Sequence, residues 1–224
     1  MQKLSKYKQI VVFDIETTGL KATQDDIIDF GAVVVDGDFN EIDKVNKLVR
    51  TQRELSAVIV DLTGITFEML AEGGINHEEL ADDIERLFTQ DSLIVAYNIQ
   101  FDIGFVVAFM KRMRPDYQFQ ADILDVMAIY KDNHPYPHRL ENAAETYGII
   151  NENEHRAYDD AVVTLRVMDK MMDEYDVSAY INCIGFNERY GLSGPRFRHV
   201  KYYAHPYKIG SLLHQINQRE KIDK

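Results

Sequence analysis

Apolar positions fall into alternating strand-like and helix-like stretches along the chain. Residues 9–17 contain Ile10-Val11-Val12-Phe13, a continuous β-branched and aromatic run that reads as a buried strand, and Gly19 breaks it. Residues 27–35 predict a second strand, with Asp36-Gly37 as a hairpin turn signal, and residues 45–49 a third. Three strands on short links predict an antiparallel start to a sheet. A short helix is expected over 57–62. Residues 77–88 then place Leu80, Ile84, Leu87 and Phe88 at helical spacing. Residues 93–96 form another apolar strand. Residues 101–113 read as a helix with Phe105, Val106, Phe109 and Met113 inward, cations at its C-terminal end and Pro115 as its stop. A last strand is expected over 119–122, followed by helices over 124–130, 140–147 and 159–174. Strands first, then strands mixed with helices, predict an α/β fold in which helices flank a mixed sheet.

After Asp176 the pattern weakens, and Gly191, Gly194 and Pro195 mark turns. The expected organisation is one domain over residues 1–176 and a basic, aromatic C-terminal extension over 177–224. A length of 224 residues suits that arrangement. Cys183 is the only cysteine, so no internal disulfide is possible, which fits a reducing, cytoplasmic setting. Residues 1–8 carry charge without the apolar run of a signal peptide, and no stretch is long and apolar enough to predict a membrane span.

The formal net charge of −12 argues against a protein that binds nucleic acid by general attraction to phosphate. The charge is uneven, however. Residues 186–224 hold eight Lys and Arg against three acids, a net +5 that leaves −17 on the rest. An acidic body suits chemistry built on clustered carboxylates and bound cations.

The first candidate pair is Asp14 and Glu16, at the end of the first strand. Two residues apart on a strand, they share one face with Cα atoms roughly 6.5–7 Å apart, while Phe13 and Ile15 point the other way. Two carboxylates at one place on a buried strand repel each other and lose solvation, a situation that a hard divalent cation relieves. A solvated polar strand edge is the plain alternative, but these acids follow a fully apolar run and precede Thr17-Thr18-Gly19. Asp102 lies where a strand hands over to a helix, a place where an acid also serves the helix dipole. Asn98 can act as a turn residue there. His155-Arg156-Ala157-Tyr158-Asp159-Asp160 opens the last long helix, and one of its two aspartates caps or flanks that helix. Each of these later signals is weak by itself.

Together they match a pattern. Phe13-Asp14-Ile15-Glu16-Thr17-Thr18-Gly19, Asn98-x-x-Phe101-Asp102 and His155-x-Ala157-x-x-Asp160 resemble the three motifs of the DEDDh family of 3′→5′ exonucleases. That family includes the proofreading subunit of bacterial DNA polymerase III, RNase T and oligoribonuclease. Leu62-Thr63-Gly64-Ile65-Thr66 and Asp122-Ile123-Leu124 also resemble family landmarks, and the likeness spans about residues 8 to 175. The resemblance implies a ribonuclease-H-like fold. It implies two divalent cations, Mg²⁺ or Mn²⁺, held by Asp14, Glu16, Asp102 and Asp160 roughly 4 Å apart. It makes His155 the base that takes a proton from water, and it selects Asp160 over Asp159, because the family's final aspartate lies five residues after the histidine. Arg156 stands where a sister group has tyrosine, which favours the histidine branch. Tyr97 departs from the histidine that many members carry before the motif-two asparagine. Thr17, Thr18, Asn98 and Phe101 become candidates for holding the terminal nucleotide.

The implied substrate is a nucleic-acid 3′ end, with single-stranded DNA preferred, and the implied product is a nucleoside 5′-monophosphate. RNA trimming or degradation of short oligonucleotides is the alternative within the same chemistry. A non-catalytic nucleic-acid-binding module and a small-molecule phosphohydrolase are alternatives from other classes. A polymerase or another replication or repair protein is the partner class that the resemblance implies, although no clamp- or polymerase-binding segment stands out. In the extension, residues 194–203 interleave basic and aromatic side chains. Such a mixture grips single strands through phosphate contacts and stacking. It equally fits a β-hairpin with its aromatics packed on the domain and its cations in solvent.

Overall fold

The first three strands follow one another directly: β1 (Gln9–Thr17), β2 (Ile27–Val35) and β3 (Glu41–Leu48). β1–β2 and β2–β3 pair antiparallel, whereas β4 (Ser92–Ala96) and β5 (Asp122–Asp125) join on the other side of β1 in parallel. The sheet order is therefore β3-β2-β1-β4-β5. The computed structural model describes residues 3–151, 155–189, 191–192, 194–205 and 208–222.

Both faces of this sheet are covered, which explains why its central strands read as continuous apolar runs. On one face Val11, Phe13 and Ile15 of β1, with Phe30, Ala32 and Val34 of β2, pack against α3 (His77–Leu87) and α4 (Ile99–Met113). On the other, Ile10 and Val12, with Val33 and Val35, pack against α5 (Val126–Asn133), α6 (Leu140–Thr146) and α7 (Ala157–Met172). The period-2 alternation of β1 thus places Asp14 and Glu16 on the α7 side. Two short helices, α1 (Ala57–Thr63) and α2 (Phe67–Gly73), sit between β3 and α3.

Several expected boundaries move; α4 starts at Ile99 rather than 101 and α5 spans Val126–Asn133 rather than 124–130. β3 begins at Glu41 rather than residue 45, because its first residues are polar and largely exposed. β5 begins at Asp122 rather than 119. Phe119 is apolar because its ring packs on Phe88 and Phe197, with centroids 6.4 and 4.7 Å away, not because it belongs to the strand. α7 begins at Ala157, two residues early.

The C-terminal segment is not the expected hairpin. β6 (Cys183–Phe186) and β7 (Lys201–Ala204) pair in parallel, with a long connection between them, and α8 (Ser211–Ile222) follows. Asn182 extends this pair onto β5, exchanging its backbone N–H and side-chain oxygen with Ile123 at 2.9 and 3.0 Å. Buried Asp132 of α5 fixes α8: its carboxylate accepts from the Leu212 and Leu213 amides at 2.8 Å each and from the Tyr180 hydroxyl at 2.9 Å. An acid at a helix N-terminus satisfies free amides and favours the dipole. Leu212 and Ile216 then join the α5–α7 core. Of the basic residues in this segment, Lys224 lies outside the described residues.

Candidate active site

Asp14 and Glu16 stand where β1 outruns its parallel neighbour. β1 pairs with β4 only as far as Val12–Val95, after which β4 ends and the chain turns into α4. That opens a cleft at the C-terminal ends of the parallel strands, the usual place for a ligand in such sheets. Asn98 makes the turn in the left-handed region, with φ 67°, which asparagine tolerates better than most residues. Its amide donates to the Asp125 carboxylate at 3.0 Å, and the same oxygen accepts from Met127 and Ala128 at the start of α5. Burial pushes Asp125 up to about 6, against those backbone donors. Asp125 is a positioning residue that sequence reading did not single out.

This turn delivers Asp102, in the first turn of α4, to the cleft. Asp102 is 3% exposed, and its carboxylate accepts the Ile15 amide, which ties α4 to β1 between the two strand acids. From the opposite side, α7 rests directly on the sheet at Gly31, the cross-strand neighbour of Asp14. A Cβ at Gly31 would collide with the backbone of Ala157 and Tyr158. This contact brings His155 and Asp160 over Glu16: ligand atoms of Glu16, His155 and Asp160 lie within 4.8 Å of one another. Asp160 accepts from Asn151 Nδ2 at 2.7 Å and from the His155 amide at 3.1 Å. His155 has φ 64°. The start of α7 is held down by buried Asp29, beside Glu16 on β2, which accepts from Arg156 Nε at 3.0 Å.

The cleft, of about 460 Å³, is lined by Asp14, Glu16, Asp102, Asp160, His155, Asn98 and Phe101. Seven of the nine residues singled out from the sequence therefore meet in one place. Thr17 and Thr18 are not among the residues that line it. A register shift between Glu16 and Thr17 turns the chain away, and both hydroxyls close the following loop. Thr17 Oγ1 donates to Gly19 O at 2.6 Å, and Thr18 Oγ1 accepts from the Asp26 amide at 3.0 Å. Asp159 faces a separate depression with Val162 and Arg166.

The electrostatics of the cleft are dominated by crowded acids. Burial first, then the charges of Asp102, Glu16, Asp160 and Asp29, push Asp14 well above the usual carboxylate range. Burial, Asp160 and Asp29 push Glu16 up to about 8, with Arg156 opposing. Burial also raises Asp102, helped by Asp125 and Glu16. The carboxylate donors in this crowding, with the His155 ring within reach, match a divalent cation in charge, because a cation removes the repulsion that otherwise favours protonation.

The exonuclease family model RNase_T matches residues 11–168. The chain is 32% identical over 206 residues to a DNA polymerase III PolC-type of Bacillus subtilis, covering 90% of this chain and 14% of that protein. It is 30% identical over 221 residues to the 3′-5′ exonuclease DinG of Staphylococcus epidermidis, covering 95% of this chain and 24% of that one. The chain belongs to this exonuclease family. The matched segment is an exonuclease domain, and the chain spans well under a third of the length of these relatives. Its fold is that of E. coli exonuclease I, solved as a zinc-bound complex with single-stranded DNA: the TM-score is 0.67 at 22% identity, over 78% of this chain and 42% of that one.

Seven more residues of this exonuclease domain line its cleft without having been singled out as site residues: Ile15, Leu62, Tyr97, Arg139, Leu140, Glu141 and Asn151. Leu62, at the end of α1, is an exposed apolar side chain beside a polar site, a pairing visible only once α1 is placed. Tyr97, where many relatives of the motif have histidine, shapes the rim. Its hydroxyl donates to the carbonyls of His138 and Arg139 at 3.0 and 3.2 Å, which pins the segment that carries Arg139. Among the described residues no helix is long and apolar enough to cross a membrane.

Proposed function

We propose that this domain removes nucleotides one at a time from the 3′ end of single-stranded DNA and releases nucleoside 5′-monophosphates. The observation that carries this reading is the convergence of Asp14, Glu16, Asp102 and Asp160 with His155 in one cleft, where burial and neighbouring acids raise the carboxyls of Asp14, Glu16 and Asp102. The four carboxylates are the ligands for divalent cations, Mg²⁺ or Mn²⁺. When bound, such cations supply Lewis-acid stabilisation of phosphate charge and ease ionisation of water.

The chain's own groups do the rest. His155 takes a proton from the water that attacks the terminal phosphorus, as a general base within reach of the site. A P–O bond to that water forms as the P–O3′ bond breaks, which leaves a 3′-hydroxyl on the shortened strand. The hydrogen bond that the His155 backbone N–H donates to the Asp160 carboxylate fixes the spacing between base and ligand. Phe101 and Leu62 offer apolar surface to the terminal sugar or base, and Asn98 offers a side-chain amide. Association with a polymerase or a repair factor belongs to the same reading, since PolC-type relatives carry a matching segment within a polymerase.

The test is digestion of single-stranded DNA, duplex DNA, RNA and dinucleotides with Mg²⁺ or Mn²⁺. The reading expects single-stranded DNA to be the best substrate, chelator to stop the reaction and Asp14→Ala to abolish it. Preference for RNA or dinucleotides replaces the substrate, and full activity of Asp14→Ala rejects the ligand set.

A further inference from the structure

On a chain of net charge −12, a surface lined by cations and no acids is a local exception that calls for a physical reason. One such surface starts beside the active-site cleft. Residues 194–199 lie along α4. Gly194, at φ 77°, sits so close to the first turn of that helix that a Cβ on it would be 3.2 Å from Gln100 O and 3.8 Å from Gly104 Cα. Gln100 immediately precedes Phe101 and Asp102 of the cleft. The segment then runs toward the other end of the helix, where Arg196 and Arg198 share a groove of about 340 Å³ with Lys111, Gln118 and Gln120, and no Asp or Glu lines it. From Gln100 to Lys111 is eleven residues of α4, about 16 Å at roughly 1.5 Å each, or roughly five stacked nucleotides at about 3.4 Å.

Phe197, the one Phe of this segment, is turned onto the domain and His199 is tethered by its ring nitrogen. Phe197 packs on Phe119 with centroids 4.7 Å apart and neighbours His199 at 6.0 Å, and His199 bonds the Ala121 carbonyl at 2.9 Å. The inward Phe197 turns its two neighbours outward, and Arg196, Arg198 and Lys111 are all exposed. What faces solvent is mainly charge and amide, with His199 the one exposed ring of the segment, a combination that suits phosphates more than bases.

We propose that Arg196, Arg198 and Lys111 form a phosphate track that holds single-stranded DNA upstream of the 3′ end engaged in the cleft. The occupant rests on the exonuclease reading; the charge complementarity and the continuity with the cleft do not. The track compensates for the acidity of the body by concentrating attraction along one line.

The test uses the full chain and 5′-fluorescein-labelled dT20, with affinity measured by anisotropy in EDTA from 50 to 300 mM salt. Each phosphate contact contributes about 0.7 to the salt slope of a single strand. Arg196→Ala/Arg198→Ala is therefore expected to flatten the slope by about 1.4 and to weaken binding about 25-fold near 0.1 M salt. Arg196→Lys/Arg198→Lys, which keeps the charge, restores most of the affinity. With Mn²⁺, the ratio of kcat/KM on dT20 to that on a thymidine dinucleotide, which ends before the track, falls with the Ala pair. An unchanged slope and affinity in the Ala pair overturns the track, as does a Lys pair as weak as the Ala pair. A wild-type chain that shows the steep slope yet digests neither substrate leaves the track standing and removes the exonuclease reading.

Discussion

Gly31→Ala is the smallest change that reaches the site without touching a charged group. The added methyl would sit closer than 3.0 Å to backbone atoms of Ala157 and Tyr158, nearer than Cβ atoms come in real structures. Backbone cannot swing aside as a side-chain tip can, so the first turn of α7 must lift from β2 by on the order of 1 Å. That turn follows His155 and carries Asp160, while Asp14 and Glu16 stay on β1. Misplacement of that size costs about 100-fold in turnover where geometry governs the chemistry. The overpacking itself costs about 1–3 kcal/mol, or roughly 3–10 °C in melting temperature for a domain of this size. Steady-state digestion of a labelled single strand and a melting curve give both numbers. A Gly31→Ala protein with wild-type turnover would refute the claim that this contact sets the site. A loss of turnover matched by gross unfolding at assay temperature would be an effect on stability alone.

Further outcomes follow from the same geometry. Asp160→Ala should reduce turnover by at least 100-fold, whereas Asp159→Ala, which faces another depression, should stay within about 3-fold; equal losses would contradict the placement. Asp132→Ala leaves the Leu212 and Leu213 amides and the Tyr180 hydroxyl without their acceptor and should cost about 3 kcal/mol or more, read in denaturant melts, while activity of the folded fraction survives. The raised Glu16 carboxyl, at about 8 against 4.5 unfolded, binds its proton more tightly when folded. In chelator, stability should thus be highest below about pH 4.5 as far as this group is concerned and fall as pH rises toward 8. Mn²⁺ should accordingly raise the melting temperature more at pH 8 than at pH 5; an equal rise at both would contradict it.

The central strands were readable because burial on both faces leaves a continuous apolar signature, and β1 and β2 appear over the residues expected. Edge strand β3 was half hidden, since an exposed edge carries charged residues that mimic a loop. Phe119 looked like part of a strand because tertiary packing and strand formation call for the same kind of side chain. The C-terminal helix α8 depends on Asp132, eighty residues earlier, and a contact of that separation leaves no local trace. Leu212 and Ile216, four apart, were the one local hint. In the site, motif spacing identified the acids and the histidine, yet not what holds them: Gly31, Asp29 and Asp125 act across the sheet. Thr17 and Thr18 lie outside the cleft lining after a shift in strand register that no residue type announces.

The most direct measurement follows a 5′-labelled single-stranded DNA with Mn²⁺ and identifies the small product. The account predicts a ladder that shortens from the 3′ end by single nucleotides, nucleoside 5′-monophosphate as the product, and no reaction with Asp14→Ala. Release of the label in the first product, formation of nucleoside 3′-monophosphates, or undiminished digestion by the Asp14 variant would contradict it.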